Sequence, residues 1–108
     1  MLDALLGNRT AADTLMYVAF NRDAYAKEIS DRLEITLSLV QAQLRRLEAG
    51  GVLVSRPRGR MRFYSFNPHS PYSKPIVEIL EMAVDFLSPT EKQKFIIRRR
   101  PRAQGKPL

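Results

Sequence analysis

The sequence has no cysteine, no tryptophan, a single histidine and few glycines. Without cysteine it can form no disulfide, no thiolate metal site and no thiol redox sensor. His69 alone cannot build a multi-histidine metal site, and it has no carboxylate within its own segment. No glycine-rich phosphate loop and no metal-ligand spacing occurs, so the expectation is a protein that is not an enzyme and needs no cofactor or metal. Long apolar runs are missing too. The longest, Leu15 to Phe20, falls far short of the ~20 residues that span a membrane. Asp3 stands near the start, with no basic leader before an apolar stretch. The expected location is therefore the cytoplasm, with no membrane contact.

What is present is a strong basic imbalance, unevenly spread over 108 residues that are 44% apolar. That length and apolar fraction suit one domain with a small core. The net charge of +7 divides by segment: −2 over residues 1–34, +6 over 35–75, −4 over 76–91 and +7 over 92–108. Such a distribution is the footprint of a protein that turns one side toward a polyanion.

The stretch from Thr36 to Gly51 organises the rest. Leu37, Val40, Leu44 and Leu47 recur with helical spacing and form a stripe to be buried. Ser38, Ala42, Arg45 and Arg46 point the other way, with Leu39 and Gln41 on the flanks. Short side chains near the start and guanidiniums further along suit a helix that enters a DNA major groove. Thr36 or Ser38 is the expected cap at its start, and Gly50 or Gly51 its left-handed end. Before it, Tyr25 to Leu33 reads as a short helix with Ala26, Ile29 and Leu33 on one face, followed by a tight turn at Glu34 and Ile35. After it, two β-prone runs flank Pro57-Arg58-Gly59-Arg60, which reads as a hairpin turn. Arg56, Arg58, Arg60 and Arg62 crowd this hairpin, and no acid occurs from Ala49 to Val77. Arg58 and Arg60 are read as phosphate or minor-groove contacts, flanked by Arg56 and Arg62. Val52, Val54, Tyr64 and Phe66 are read as hairpin core rather than as stacking platforms for single-stranded bases.

Leu33-Glu34-Ile35-Thr36, Val40, the run Leu44-Arg45-Arg46-Leu47-Glu48-Ala49-Gly50-Gly51, Arg56, Gly59-Arg60 and Phe63-Tyr64-Ser65-Phe66-Asn67-Pro68 carry a resemblance. Over roughly residues 10 to 87 the chain resembles the winged helix-turn-helix repressors of the ArsR-like type. The resemblance implies a prokaryotic, dimeric regulator that binds double-stranded DNA. The implied fold class is mainly α with a small β-hairpin (α+β), carrying an additional C-terminal dimerisation helix. One departure is Glu34, where the family usually has glycine. A left-handed residue there costs about 1–2 kcal/mol.

The remaining segments fit this frame. Met1 to Asn8 reads as a short apolar helix or arm, packed either on its own domain or on a partner. Arg9 to Phe20 reads as a helix capped by Thr10 and apolar nearly all round in its second half. Ala24-Tyr25 offers a short strand beside the hairpin. From Tyr72 or Ser73 to Leu87 runs a long helix whose polar residues Glu78, Glu81 and Asp85 form one narrow stripe. So wide an apolar arc points to a homodimer interface built from Ile76, Ile79, Leu80, Ala83, Phe86 and Leu87. Ser88-Pro89-Thr90-Glu91 reads as a capped start for a last short helix through Ile97. Residues 1–97 are thus expected to form the domain, and 98–108 a basic flexible tail. The reading is a dimeric regulator, repressor or autoregulator, with Thr36, Ser38, Leu39, Gln41, Ala42, Arg45 and Arg46 on DNA. No residue pattern selects a small-molecule effector. The alternative is a winged-helix protein–protein interaction module, favoured by any exposure of Leu37 and Leu39; double-stranded RNA binding is a weaker variant.

Overall fold

The computed structural model describes residues 2–95. The expected basic tail and the end of the last helix at Ile96-Ile97 lie outside the described residues. The element order is α1 (Leu2–Leu6), α2 (Arg9–Asn21), β1 (Asp23–Tyr25), α3 (Ala26–Leu33), α4 (Leu37–Ala49), β2 (Leu53–Arg58), β3 (Met61–Phe66), α5 (Ser73–Asp85) and α6 (Pro89–Phe95).

Helix α2 is the hub. Ala11, Ala12 and every residue from Thr14 to Ala19 are buried, so this helix is packed on nearly all sides, as an all-round apolar helix must be. Its start is capped by Asn8 and not by Thr10. The extended Asn8 offers its Oδ1 to the Ala11 N–H at 2.7 Å, and helical backbone has already begun when the chain reaches Thr10. Helix α1 folds onto α2 of its own subunit through Leu2 and Leu6, while Leu5 remains exposed.

Helices α3 and α4 pack against each other and on α2. From α3 come Ile29 and Leu33; from α4 come Val40, Leu44 and Leu47, with Leu37 half-buried. The turn between them passes through Glu34 at φ 57 and ψ 46, a left-handed conformation. Ser30 holds it in place. Its carbonyl accepts from the Ile35 N–H at 3.1 Å, and its hydroxyl donates to the Ile35 carbonyl at 2.6 Å. At the start of α4 neither expected side-chain cap is made. Thr36 occupies the cap position, but there its backbone carbonyl receives the Leu39 and Val40 N–H groups, and Ser38 already lies inside the first turn. The helix ends in a Schellman arrangement. Gly51, at φ 81, donates to the Glu48 carbonyl, and Val52 donates to that of Leu47 at 2.9 Å.

The sheet has the order β1-β3-β2, antiparallel throughout. The hairpin turn is tighter than its Pro-Arg-Gly-Arg sequence suggests. Pro57 and Arg58 belong to β2, paired with Arg62 and Met61, which leaves Gly59 and Arg60 as a two-residue loop. Gly59 takes φ 66, the geometry such a loop demands of its first residue. Proline is tolerated because β2 is an edge strand. Leu53 and Tyr64 are buried in the core, whereas Val52, Val54 and Phe66 are half-buried.

Helix α5 packs Leu80 and Val84 against α2 and leaves Ile79, Met82 and Phe86 exposed, Phe86 at 87%. Leu80, expected at a subunit interface, therefore belongs to its own subunit's core. Met82 joins the free face instead. Ile76, Ala83 and Leu87 are half-buried between the two. Ser88 caps α6 as its sequence indicates, its Oγ accepting from the Glu91 N–H at 3.2 Å. Phe95 is buried beside Tyr17, and α6 is tied down where Asn21 donates to the Phe95 carbonyl at 2.8 Å.

Because Glu34 is exposed and left-handed, Glu34→Gly relieves strain that slightly outweighs the extra chain entropy of glycine. Urea unfolding of this variant is expected to show a gain of about 0.5–1 kcal/mol.

Candidate nucleic-acid interface

Burial of one side of α4 dictates what its other side offers. Val40, Leu44 and Leu47 face inward, so Ser38, Ala42, Arg45 and Arg46 are exposed, Leu39 is 52% exposed and Gln41 half-buried. Thr36 is exposed at the helix entrance. Arg46 folds back along its own helix, donating from Nε and Nη2 to Gln43 Oε1 at 3.1 and 2.9 Å. That exposed contact is weak enough to be exchanged for another acceptor.

Hairpin register divides the arginines that the sequence places side by side. Side chains alternate along each strand and match across cross-strand pairs. Arg56 and Arg58 thus share a face with their partners Phe63 and Met61, while Arg62 shares the other face with Pro57, Ser55 and Tyr64. Arg60 sits in the loop. Arg58 is not an unanswered cation. Its guanidinium lies 3.9 Å from the Phe63 ring centroid, and its Nη2 donates to Asp23 Oδ2 at 3.2 Å. Tyr25 meets the same ring edge-on at 5.2 Å. Arg58 therefore closes a small cluster that joins the hairpin to β1, which the run of arginines alone did not disclose.

On the opposite face a polar seam connects the hairpin to α4. Arg62 Nη1 donates to Ser55 Oγ at 2.9 Å, and Ser55 Oγ donates to Glu48 Oε2 at 2.6 Å. The Tyr64 hydroxyl lies in the same region. Burial pushes its pKa above the usual 10.0, and the Glu48 carboxylate adds to this; Arg62 and Arg45 pull it back. The exposed stripe of α4 and one face of the hairpin thus meet, with Arg45 and Arg62 both within electrostatic reach of one hydroxyl.

Sequence reasoning missed Glu48, Ser55, Asp23 and Phe63. Glu48 left a trace, being the one acid in residues 35–75 and three positions beyond Arg45, on the same helix face. Asp23 left none, because its partner lies 35 residues away. His69 is an exposed loop residue. Among the described residues no group of His, Cys, Asp or Glu could hold a metal ion, and no helix is long and apolar enough to cross a membrane.

The order helix, turn, helix, two-stranded hairpin, with a short third strand beside it, decides the architecture. The fold is an α+β winged helix. Solved structures of other proteins share it, HlyU and ZitR among them. Reduced HlyU from Vibrio cholerae superposes with a TM-score of 0.61 at 22% identity, over 76% of this chain and 83% of that one. A double mutant of Lactococcus lactis ZitR in its apo form gives a TM-score of 0.54 at 14% identity, over 89% of this chain and 74% of that one. No family model and no curated protein sequence matches the chain.

The seam has a spectroscopic signature. Glu48→Ala should move the Tyr64 pKa down, and Arg62→Ala should move it further up. NMR titration of ring-labelled tyrosine reads both; a Tyr64 curve that moves in neither variant would refute the proximity of these groups.

Proposed function

We propose that this winged helix is a DNA-binding transcription regulator of the ArsR-like type, a cytoplasmic prokaryotic protein that acts as a two-fold homodimer and represses by excluding polymerase. One observation carries the reading. The exposed stripe Ser38, Ala42, Arg45 on α4 ends one turn before Glu48, and Glu48 is joined through Ser55 to Arg62 on the hairpin, so the small side chains and cations of the helix are coupled to those of the hairpin. A major groove admits such a helix, and the phosphates that border it meet the hairpin.

In this reading Gln41 pairs with adenine, Arg45 with guanine or a phosphate, and Leu39 or Ala42 meets a thymine methyl. Thr36 and Arg46 contact the backbone. Arg60, at the loop, and Arg56 and Arg62 along the strands answer phosphates or the minor groove. Arg58 contributes chiefly by holding the hairpin. The dimer forms across the free face of α5, where Ile79, Met82 and Phe86 stand exposed. They line a groove of about 460 Å³ between α1, α2 and α5, together with Met16, Ala83 and Leu87. Two half-sites one helical turn of duplex apart require an isologous contact there that holds the two α4 helices about 34 Å apart. Neither catalysis nor a bound cofactor has a part in the proposal.

A second reading, a protein-interaction module, draws on the exposure of Leu39. Leu37, half-buried, gives it little further surface. Arg56, Arg60 and Arg62 lie on exposed strand and loop positions and favour a polyanion over a protein groove.

Arg45→Ala is expected to cost about 1–3 kcal/mol on a selected duplex site and little on random duplex. Arg60→Ala should weaken all duplexes alike and lower the salt slope by about one. Gel shift and salt titration measure both. If neither substitution alters duplex binding, the reading is wrong. Phe86→Asp should convert dimer to monomer in sedimentation, because it places a charge in the proposed apolar contact.

A further inference from the structure

An arginine on an exposed hairpin has many rotamers, and binding normally has to freeze them. Arg62 differs from that pattern. Ser55, directly across from Tyr64 in the register, accepts from its Nη1 and passes a hydrogen bond on to Glu48. Ser55 and Glu48 are both half-buried, so the bond between them is partly shielded from water, which strengthens it and fixes the acceptor that the exposed Arg62 guanidinium meets. Arg45 leaves α4 one turn before Glu48, on the same face. The relay thus ties Arg62 of the strand to the helix that carries Arg45. The remaining hairpin arginines lie elsewhere: Arg56 and Arg58 on the other face, Arg60 in the loop.

We infer that Arg62 is held ready for a single backbone phosphate of duplex DNA beside the exposed surface of α4, and that Ser55 and Glu48 are positioning residues that aim it there. The inference rests on the DNA-binding reading above. It gives Glu48 a role opposite to its charge. A carboxylate beside a phosphate repels it, so removing the acid should tighten binding if charge alone mattered. As the anchor of the relay, its removal instead frees Arg62 to wander and weakens binding.

The test uses the full chain and fluorescence anisotropy on a random-sequence duplex across a salt series. Wild-type protein must bind the duplex in a salt-dependent way; if it does not, the DNA-binding reading fails and takes this inference with it. Given that binding, Ser55→Ala, which changes no charge, is expected to lose about threefold or more in affinity and to lower the salt slope toward that of Arg62→Ala. Adding Ser55→Ala to Arg62→Ala should cost nothing further, since both act through one group. Ser55→Thr, which keeps the hydroxyl, should restore binding. Glu48→Ala should bind more weakly despite its extra positive charge. A loss below about threefold for Ser55→Ala, additive losses in the double variant, or tighter binding by Glu48→Ala would each overturn the positioning role and leave the DNA-binding reading standing. Thermal melts of Ser55→Ala and Ser55→Thr separate local from global effects. If Ser55→Ala lowers stability, the salt slope and the Thr rescue at a temperature where both are folded still decide.

Discussion

Packing of α4 on α2 is the constraint from which the rest follows. A thirteen-residue helix is marginal alone in water, and this one is held by three fully or nearly fully buried side chains, Val40, Leu44 and Leu47. Burying each contributes on the order of 1.5–3 kcal/mol. Once that stripe is inside, helical geometry leaves Ser38, Ala42 and Arg45 outside. The exposed face is thus a by-product of burial rather than a separate feature. The left-handed turn at Glu34 and the glycine exit at Gly51 set the angles at which chain enters and leaves, and so bring α3 before the helix and the hairpin after it.

Electrostatics are handled by using the few nearby acids structurally. A cluster of arginines with no counter-charge in its own segment would repel itself. Asp23 reaches Arg58 from β1, and Glu48 reaches Arg62 through Ser55 from α4. One exposed ion pair of this kind is worth no more than about 1 kcal/mol. Their value lies in direction: each ties one face of the hairpin to a different element, so that a two-stranded ribbon, weak by itself, is braced on both sides. Phe63 adds to the brace on the outer face, being buried by Tyr25 and Arg58 even though it points away from the main core.

Helix α5 shows the same economy in apolar surface. Its inward residues, Leu80 and Val84, complete the core around α2. Its outward residues are both apolar and acidic, with Ile79, Met82 and Phe86 beside Glu78, Glu81 and Asp85. The basic surface on α4 and the hairpin and the apolar-acidic surface on α5 belong to elements that both pack on α2.

Much of this was legible in local pattern. Period-3.6 spacing set out α4 and its buried side, β-prone runs around Gly59 set out the hairpin, and the Ser88-Pro89 start marked α6. Each of these signals lives within a window of a few residues, where backbone sterics and side-chain spacing suffice. Local pattern failed where the outcome depends on distant residues. It assigned Leu80 to a partner because an apolar arc does not say which part meets its own core. It paired Arg58 with Arg60 at the tip and set Arg56 and Arg62 as flanks, because strand register, and hence the face each takes, depends on loop length. It named Thr10 as the cap of α2 where the structure uses Asn8, because only the path of the chain from α1 decides which residue stands at the helix entrance. The amino-acid order by itself determined the elements, their succession and the basic character of the middle of the chain. Tertiary structure alone decided which arginine is braced by Asp23 and which is aimed by Ser55, since those partners are brought together by packing across sequence separations that no local periodicity encodes.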